Sequence, residues 1–216
     1  VTVSLADQLS GSEVSTLAIA LGANLPSHSG SPIATLIAVR PLLEARLRQW
    51  GQGLSSRPSA FRWSPLFETE PVGGPPGQPP YINAVLLVEG LVEGLAPRSA
   101  FGARAAAAEA LLEQLQMLEQ DFGRERQARW APRSLDLDLL WWGNLSCDIP
   151  RLQLPHPLWR QRDFVLEPLA TLAGLAPGPA STVVALAGRP GWPEQLGADS
   201  LTRTTELPIW PDPHPG

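Results

Sequence analysis

An α+β fold is what this sequence predicts, and three observations carry that expectation. Apolar runs of strand type, TLAIALGANL (16–25), YINAVLLVEGLV (81–92) and SLDLDLLWWG (134–143), lie far apart in the chain. Two long segments with apolar residues at helical spacing separate them. Strands and helices mix without strict β-α-β alternation, so a wholly parallel sheet is not expected. The 216 residues suffice for one domain with a core of its own.

Residues 1–15 are polar and aperiodic and read as a loose arm. They lack a basic n-region, so no signal peptide is expected. The run 16–25 reads as a strand that turns at Gly22 and Asn24. Ser31-Pro32 is a helix start, with serine at the cap and proline in the first turn. Leu36, Leu43 and Leu47 follow at helical spacing, and Gly51 is expected to close that helix. Pro41 lies inside it and is expected to kink or split it.

Residues 56–72 alternate in their second half and suit a strand. GGPPGQPP (73–80) has little capacity for ladder bonding and reads as a loop. Its length makes it a candidate cover for a substrate. A strand over 81–92 comes next. The best helix spans 100–123, with Leu111, Leu115, Leu118 and Phe122 as its apolar stripe and Gly123 as its end. Four arginines then fall within residues 123–133. After the strand at 134–143, residues 154–174 begin as a loop and become a short helix around 165–172. The domain is placed at 16–175. Residues 176–216 form a proline-rich extension, packed on or trailing it, with a poorly ordered tail.

Composition excludes several function classes. The net charge of −5 gives no general attraction to nucleic acid or to an anionic membrane. No stretch of 18 or more apolar residues is present, so no membrane span is expected. Cys147 is the only cysteine, so no disulfide forms within the chain, and a reducing cytoplasm fits. All 16 basic residues are arginine. A Schiff-base lysine and a P-loop lysine are therefore both ruled out. Phosphate chemistry here needs arginine forks or metal ions.

Asp136 and Asp138 are two apart in a strand and so share one face, while Leu135, Leu137 and Leu139 face the core. Two neighbouring carboxylates repel, and a hard divalent cation offsets that cost. The alternative is a wet face on which both acids are solvated or paired with arginine. Arg124, Arg126, Arg129 and Arg133 stand just upstream. Acids and arginines together are the equipment of phosphoryl transfer. The arginines have their own bland reading, as a solvated loop paired with Glu119 and Asp121. His156, Arg160 and Arg162 offer further phosphate contacts. Tyr81 and Asn83 share a strand face and, with Phe164, suit a flat heterocycle, unless these aromatics are core.

Taken in order, LGANL (21–25), ETEPVG (68–73), QPPYINAV (78–85), LEQLQMLEQDFGRER (112–126), RWAPRSLDLDLL (129–140) and LPHPLWRQRDFVLEPL (154–169) resemble the 6-hydroxymethyl-7,8-dihydropterin pyrophosphokinase family of folate biosynthesis. The resemblance implies a ferredoxin-like α+β sandwich, a mostly antiparallel sheet with helices on both sides. It implies transfer of pyrophosphate from ATP, the co-substrate, to the hydroxymethyl group of the dihydropterin, with release of AMP. It implies a monomer. By motif, Asp136 and Asp138 would hold magnesium, two ions with ATP bound, and Arg124 and Arg133 would act on the transferring phosphates. His156 and Arg162 would bind ATP, with Gln116 and Glu119 on the nucleotide side. Asn83 would hydrogen-bond the pterin, Tyr81 and Phe164 would stack on it, and Thr69 and Val72 would line its pocket. The loops at 73–80 and 123–132 are candidates to close over ATP and exclude water. No dedicated general base is expected, because a metal-bound carboxylate is a weak base.

Some features depart from the family pattern. The first turn reads Gly-Ala-Asn where serine often follows the glycine, the turn at 26–32 is longer, and the arginine loop is about a residue shorter. The tail after residue 175 has no counterpart. Two other readings differ in class. A ferredoxin-like module binding RNA on its sheet conflicts with acids at the centre of the binding face. A degenerate paralogue that binds pterin without turnover conflicts with the full set of motif residues.

Overall fold

Residues 16–52, 54, 59–91, 101–125, 130–175 and 184–185 are described by the computed structural model. The elements run β1 (Thr16–Ala23), α1 (Pro32–Gly51), β2 (Ala60–Trp63), β3 (Phe67–Thr69), β4 (Tyr81–Glu89), α2 (Phe101–Asp121) and β5 (Asp136–Trp142). A hairpin of β6 (Cys147–Ile149) and β7 (Leu152–Leu154) follows, then a 3-10 turn (Trp159–Gln161), α3 (Asp163–Leu172) and β8 (Val184–Ala185). The N-terminal arm, Arg126 and Arg129 lie outside the described residues. So does the C-terminal extension, except for Val184–Ala185, which pair with β3 at the sheet edge. Among the described residues, no helix is long and apolar enough to cross a membrane.

The six-stranded sheet has the order β5-β1-β4-β3-β8, and β2 also pairs with β4. Every pairing is antiparallel. The expected single strand in 56–72 is two strands. β2 pairs with the end of β4 (Leu86–Glu89), and β3 pairs with its start (Tyr81–Asn83). Pro65 has no N–H to give a ladder, so the strand breaks there. Ser64 bridges the gap. Its N–H donates to the Val85 carbonyl at 2.9 Å, and its Oγ accepts the Val85 N–H at 2.9 Å.

One sheet face packs against α1 and α2. Leu17, Ile19 and Leu21 of β1, Leu86 and Val88 of β4, and Leu137 and Leu139 of β5 meet Leu36, Leu43 and Leu47 of α1 and Leu111, Leu115 and Leu118 of α2. The opposite face packs against α3 through Ala18, Val85, Leu87, Leu140, Trp141 and Leu169. A bulge sets this second face. Ile19 stands opposite Leu139 but Ala18 opposite Trp141, so Leu140 is the extra residue. Beyond it, Leu140 and Trp141 both join the α3 side, while Trp142 returns to the α1–α2 side. The face carrying the two aspartates is thus polar at one end and apolar at the other.

One expectation about α1 is corrected and one is borne out. Pro41 does not split the helix, which runs from Pro32 to Gly51. Pro41 sits on the exposed side, and the stripe on both sides of it packs on one core, so packing overrides the local penalty. Gly51 closes the helix, as expected. It is the last helical residue, and the cap is Gln52 in an extended conformation. Gly51 is needed for clearance: a Cβ there would lie 2.5 Å from Leu91 Cδ2. The start agrees with expectation, since the Ser31 side chain accepts the Ala34 N–H at 3.3 Å.

Candidate functional site

The two aspartates lie on the α3 side of the sheet, beyond the end of α3's coverage. Asp136 pairs with Gly22 and Asp138 with Ala20 across β1 and β5. On the other flank of β1, Gly22 pairs with Asn83. This register puts Asp136, Gly22 and Asn83 in one row across three strands, and Tyr81 is two residues from Asn83 on the same face. Gly22 is the floor between them. A Cβ at Gly22 would lie 2.9 Å from Asn83 Oδ1.

The arginines close over the acids. α2 ends in a Schellman turn: Gly123, at φ 79°, donates its N–H to Gln120 at 2.9 Å, and the Arg124 N–H returns to Glu119 at 3.0 Å. That reversal carries Arg124 to Asp136 Oδ1 at 2.5 Å, with Glu119 as a second partner. Arg133 Nη1 meets Asp136 Oδ2 at 2.8 Å. Arg162, just before α3, donates to Asp138 Oδ2 at 3.2 Å. Glu119 is buried, and its carboxylate also accepts the Leu137 N–H at 2.7 Å. Hence Glu119 anchors the arginine cluster to the start of β5.

Burial and charge set the ionisation of this cluster. Glu119 is pushed up to about 7, chiefly by burial, with Arg124 opposing. Burial and the neighbouring Asp138 carboxylate push Asp136 up, against Arg124 and Arg133. His156 is lowered to about 4 by burial and then by Arg162. The Leu158 N–H donates to His156 Nδ1 at 3.2 Å, so a neutral ring carries its proton on Nε2. Burial also raises Tyr81, whose hydroxyl donates to the Ala131 carbonyl at 3.4 Å.

One cleft of about 890 Å³ is lined by all thirteen residues expected from sequence: Thr69, Val72, Tyr81, Asn83, Gln116, Glu119, Arg124, Arg133, Asp136, Asp138, His156, Arg162 and Phe164. They arrive from β3 and the loop after it, β4, α2 and the loop after it, β5, the segment ahead of α3 and the first turn of α3. Thr69 is buried and accepts the Asn83 amide at 2.7 Å, which fixes how Asn83 faces the cleft. Val72 is 73% exposed, so it stands at the mouth rather than in the wall. Phe164 lies under the Arg162 guanidinium, 5.4 Å from ring centroid to carbon.

Three residues of the site escape the sequence reading. Gly22 appears there only as a turn residue, although a glycine at the end of an apolar strand signals close approach. Trp130 adopts φ 61°, unusual for a bulky residue. Its ring lies where a Cβ on Gly73 would come within 3.2 Å, and its carbonyl where a Cβ on Gly74 would come within 2.3 Å. The two loops expected to cover the site therefore touch through Trp130 and this glycine pair. Gln78 fixes the same loop by donating to the Gly73 and Pro75 carbonyls, each at 3.2 Å.

The family model described as 7,8-dihydro-6-hydroxymethylpterin-pyrophosphokinase (HPPK) matches residues 18–174, which hold every lining residue named above. A 2-amino-4-hydroxy-6-hydroxymethyldihydropteridine pyrophosphokinase of Pseudomonas aeruginosa is 37% identical over 155 residues, covering 72% of this chain and 78% of that one. Its namesake in Haemophilus influenzae is 32% identical over 169 residues, covering 78% and 88%. The mitochondrial folate synthesis bifunctional protein of Arabidopsis thaliana is 37% identical over 148 residues, covering 65% of this chain but 24% of its own length. With the match running from β1 through α3, the chain belongs to the 7,8-dihydro-6-hydroxymethylpterin-pyrophosphokinase family.

Proposed function

We propose that this chain transfers pyrophosphate from ATP to 6-hydroxymethyl-7,8-dihydropterin, giving AMP and the pterin diphosphate, as a step of folate biosynthesis. One observation carries the reading. Two carboxylates, three arginines and a polar aromatic wall converge from separate elements on one cleft. The fold reading is a ferredoxin-like sandwich. Its support is the order β5-β1-β4-β3 with α1 and α2 on one face, the arrangement of a split β-α-β unit.

Magnesium fits the donor set. Asp136 and Asp138 offer hard oxygen ligands, and among the described residues no cluster of three or more His, Cys, Asp or Glu forms a metal cage. Few carboxylates together with substrate phosphates suit magnesium better than a metal that needs a full protein shell. We assign both aspartates to two ions bound with ATP. When bound, these ions neutralise charge on the phosphate oxygens.

The other roles follow from position. Arg124 and Arg133 turn their forks to the transferring phosphates, where guanidinium is worth most in a site that excludes water. Glu119 holds Arg124 for that task, and Gln116 contacts the nucleotide from α2. His156 donates through Nε2, and Arg162 adds charge on the ATP side. Asn83 reads the pterin edge, oriented by Thr69, while Tyr81 and Phe164 take its faces and Val72 guards the mouth. The pterin hydroxyl oxygen attacks the β-phosphorus in line, the bond to the bridging oxygen breaks so that AMP leaves with it, and the hydroxyl proton is released to solvent. The loops at 73–80 and 123–132 keep water from that phosphorus. Mass analysis of the product after incubation with ATP, magnesium and the pterin tests the reading. A pterin diphosphate is the expected product; a pterin monophosphate with ADP contradicts it.

A further inference from the structure

Asn24 follows β1 directly, is 2% exposed, and has no part in the roles assigned above. Its hydrogen bonds run in two directions. The side-chain carbonyl accepts the Arg133 N–H at 2.8 Å. The backbone N–H groups of Asn24 and Leu25 both donate to the Arg133 carbonyl, at 3.0 and 3.1 Å. On the other side, the Asn24 amide donates to the Pro79 carbonyl at 3.1 Å. The amide orientation is unambiguous, because a peptide N–H only donates and a peptide carbonyl only accepts.

From this junction we infer that Asn24 is a positioning residue for the transfer, an inference that rests on the function proposed above. It ties the loop that leads into Tyr81 to the segment that presents Arg133. Pro79 and Pro80 have no N–H, so that loop end offers only carbonyls as anchors, and a buried side-chain donor must meet them. Arg133 is gripped by its backbone, which leaves its guanidinium free to reach Asp136. The separation between the aromatic wall and the phosphate-facing arginine is thereby set by one planar amide. Only an amide supplies a donor and an acceptor at that reach. Aspartate keeps the acceptor and loses the donor, and alanine loses both.

The two arms of the junction can be separated. In Asn24→Asp, hydrogen–deuterium exchange over 73–80 is expected to quicken while exchange over 133–138 stays native. Pterin affinity, by fluorescence titration, is expected to fall about five- to tenfold, the effect of one lost hydrogen bond and a repulsive contact. The single-turnover rate at saturating pterin is expected to stay within about threefold. In Asn24→Ala, affinity and rate are both expected to fall. If Asn24→Ala does not fold, Asn24→Ser, whose side chain is too short to reach both loops, replaces it. Native exchange and native pterin affinity in folded Asn24→Asp overturn the inference. A loss of stability with unchanged affinity and rate in the folded fraction does so too. Failure of the unmutated protein to bind pterin or release AMP refutes the proposed function instead.

Discussion

Arg124 meets Asp136 at 2.5 Å because Gly123 reverses the chain at the end of α2. The left-handed glycine closes both Schellman bonds, and the next residue is delivered back over the helix end to the start of β5. Gly123→Ala forces a side chain into φ 79° and is expected to cost about 1 kcal/mol of stability or somewhat more. Nothing lies within 4 Å of the added Cβ, so the effect is conformational rather than a clash. Transfer is expected to fall by about tenfold or more, because the arginine is displaced from charge that develops in the transition state. Urea unfolding and steady-state turnover, measured together, check this. Full turnover with lowered stability would detach the turn from the chemistry.

Asp138→Ala is expected to reduce transfer by about a hundredfold or more, the scale seen when a key electrostatic group is removed. Its partner Arg162 is 80% covered, but Asp138 itself is 37% exposed, so the ion pair contributes at most about 1 kcal/mol to folding. A thermal melt near that of the unmutated protein, beside an AMP assay, is the check. Near-normal turnover would mean that Asp138 holds no metal.

Gly22→Ala inserts a methyl 2.9 Å from Asn83 Oδ1, in the middle of the row that joins Asn83 to Asp136. The Asn83 amide must then shift from its place beside Thr69 or turn within it. Overpacking of this kind costs about 1–3 kcal/mol, and here it is expected to appear as a loss of roughly tenfold or more in pterin affinity. Nucleotide affinity should change little. Equal losses for both ligands in calorimetric titrations would show that Gly22 serves the sheet as a whole.

A buried carboxylate and a half-buried histidine give opposite pH slopes. The His156 pKa is depressed in the folded protein to about 4, so its contribution is present above the unfolded value and is lost as pH falls toward 4. Glu119 is raised to about 7, so its contribution is present below the unfolded carboxylate value and is lost as pH rises through 7. Between pH 4.5 and 6.5, roughly, the two oppose each other. His156→Gln is expected to lose less stability than the unmutated protein between pH 7 and 5, by at most about 1 kcal/mol, because solvent screens the partly exposed ring. Urea titrations across that range decide it. Parallel slopes for the two proteins would place the histidine in water.

The strands at 16–23, 81–89 and 136–142 are legible because unbroken apolar runs reveal their period, and the aspartate face follows from the two-residue repeat alone. What the sequence hides are positions where tertiary contact outweighs local preference. Pro41 is carried through α1 by packing on both sides of it. The bulge at Leu140 moves Trp141 onto the α3 face, which no alternation rule foresees. Pro65 divides one expected strand into two because Ser64 can complete the ladder with its hydroxyl. The cleft residues carried expected roles as motif members, whereas Gly22 and Asn24, also inside a motif, were readable only as turn residues. Their work is done through a clearance and through main-chain partners more than fifty residues away, and neither leaves a local signal.

The most direct measurement is AMP release with ATP and magnesium, in the presence and absence of 6-hydroxymethyl-7,8-dihydropterin. The account predicts AMP only when the pterin is present, in step with its diphosphate, because the loops joined at Trp130 and Gly73 keep water from the transferring group. AMP formed equally without pterin, or none from folded protein that binds both ligands, would contradict it.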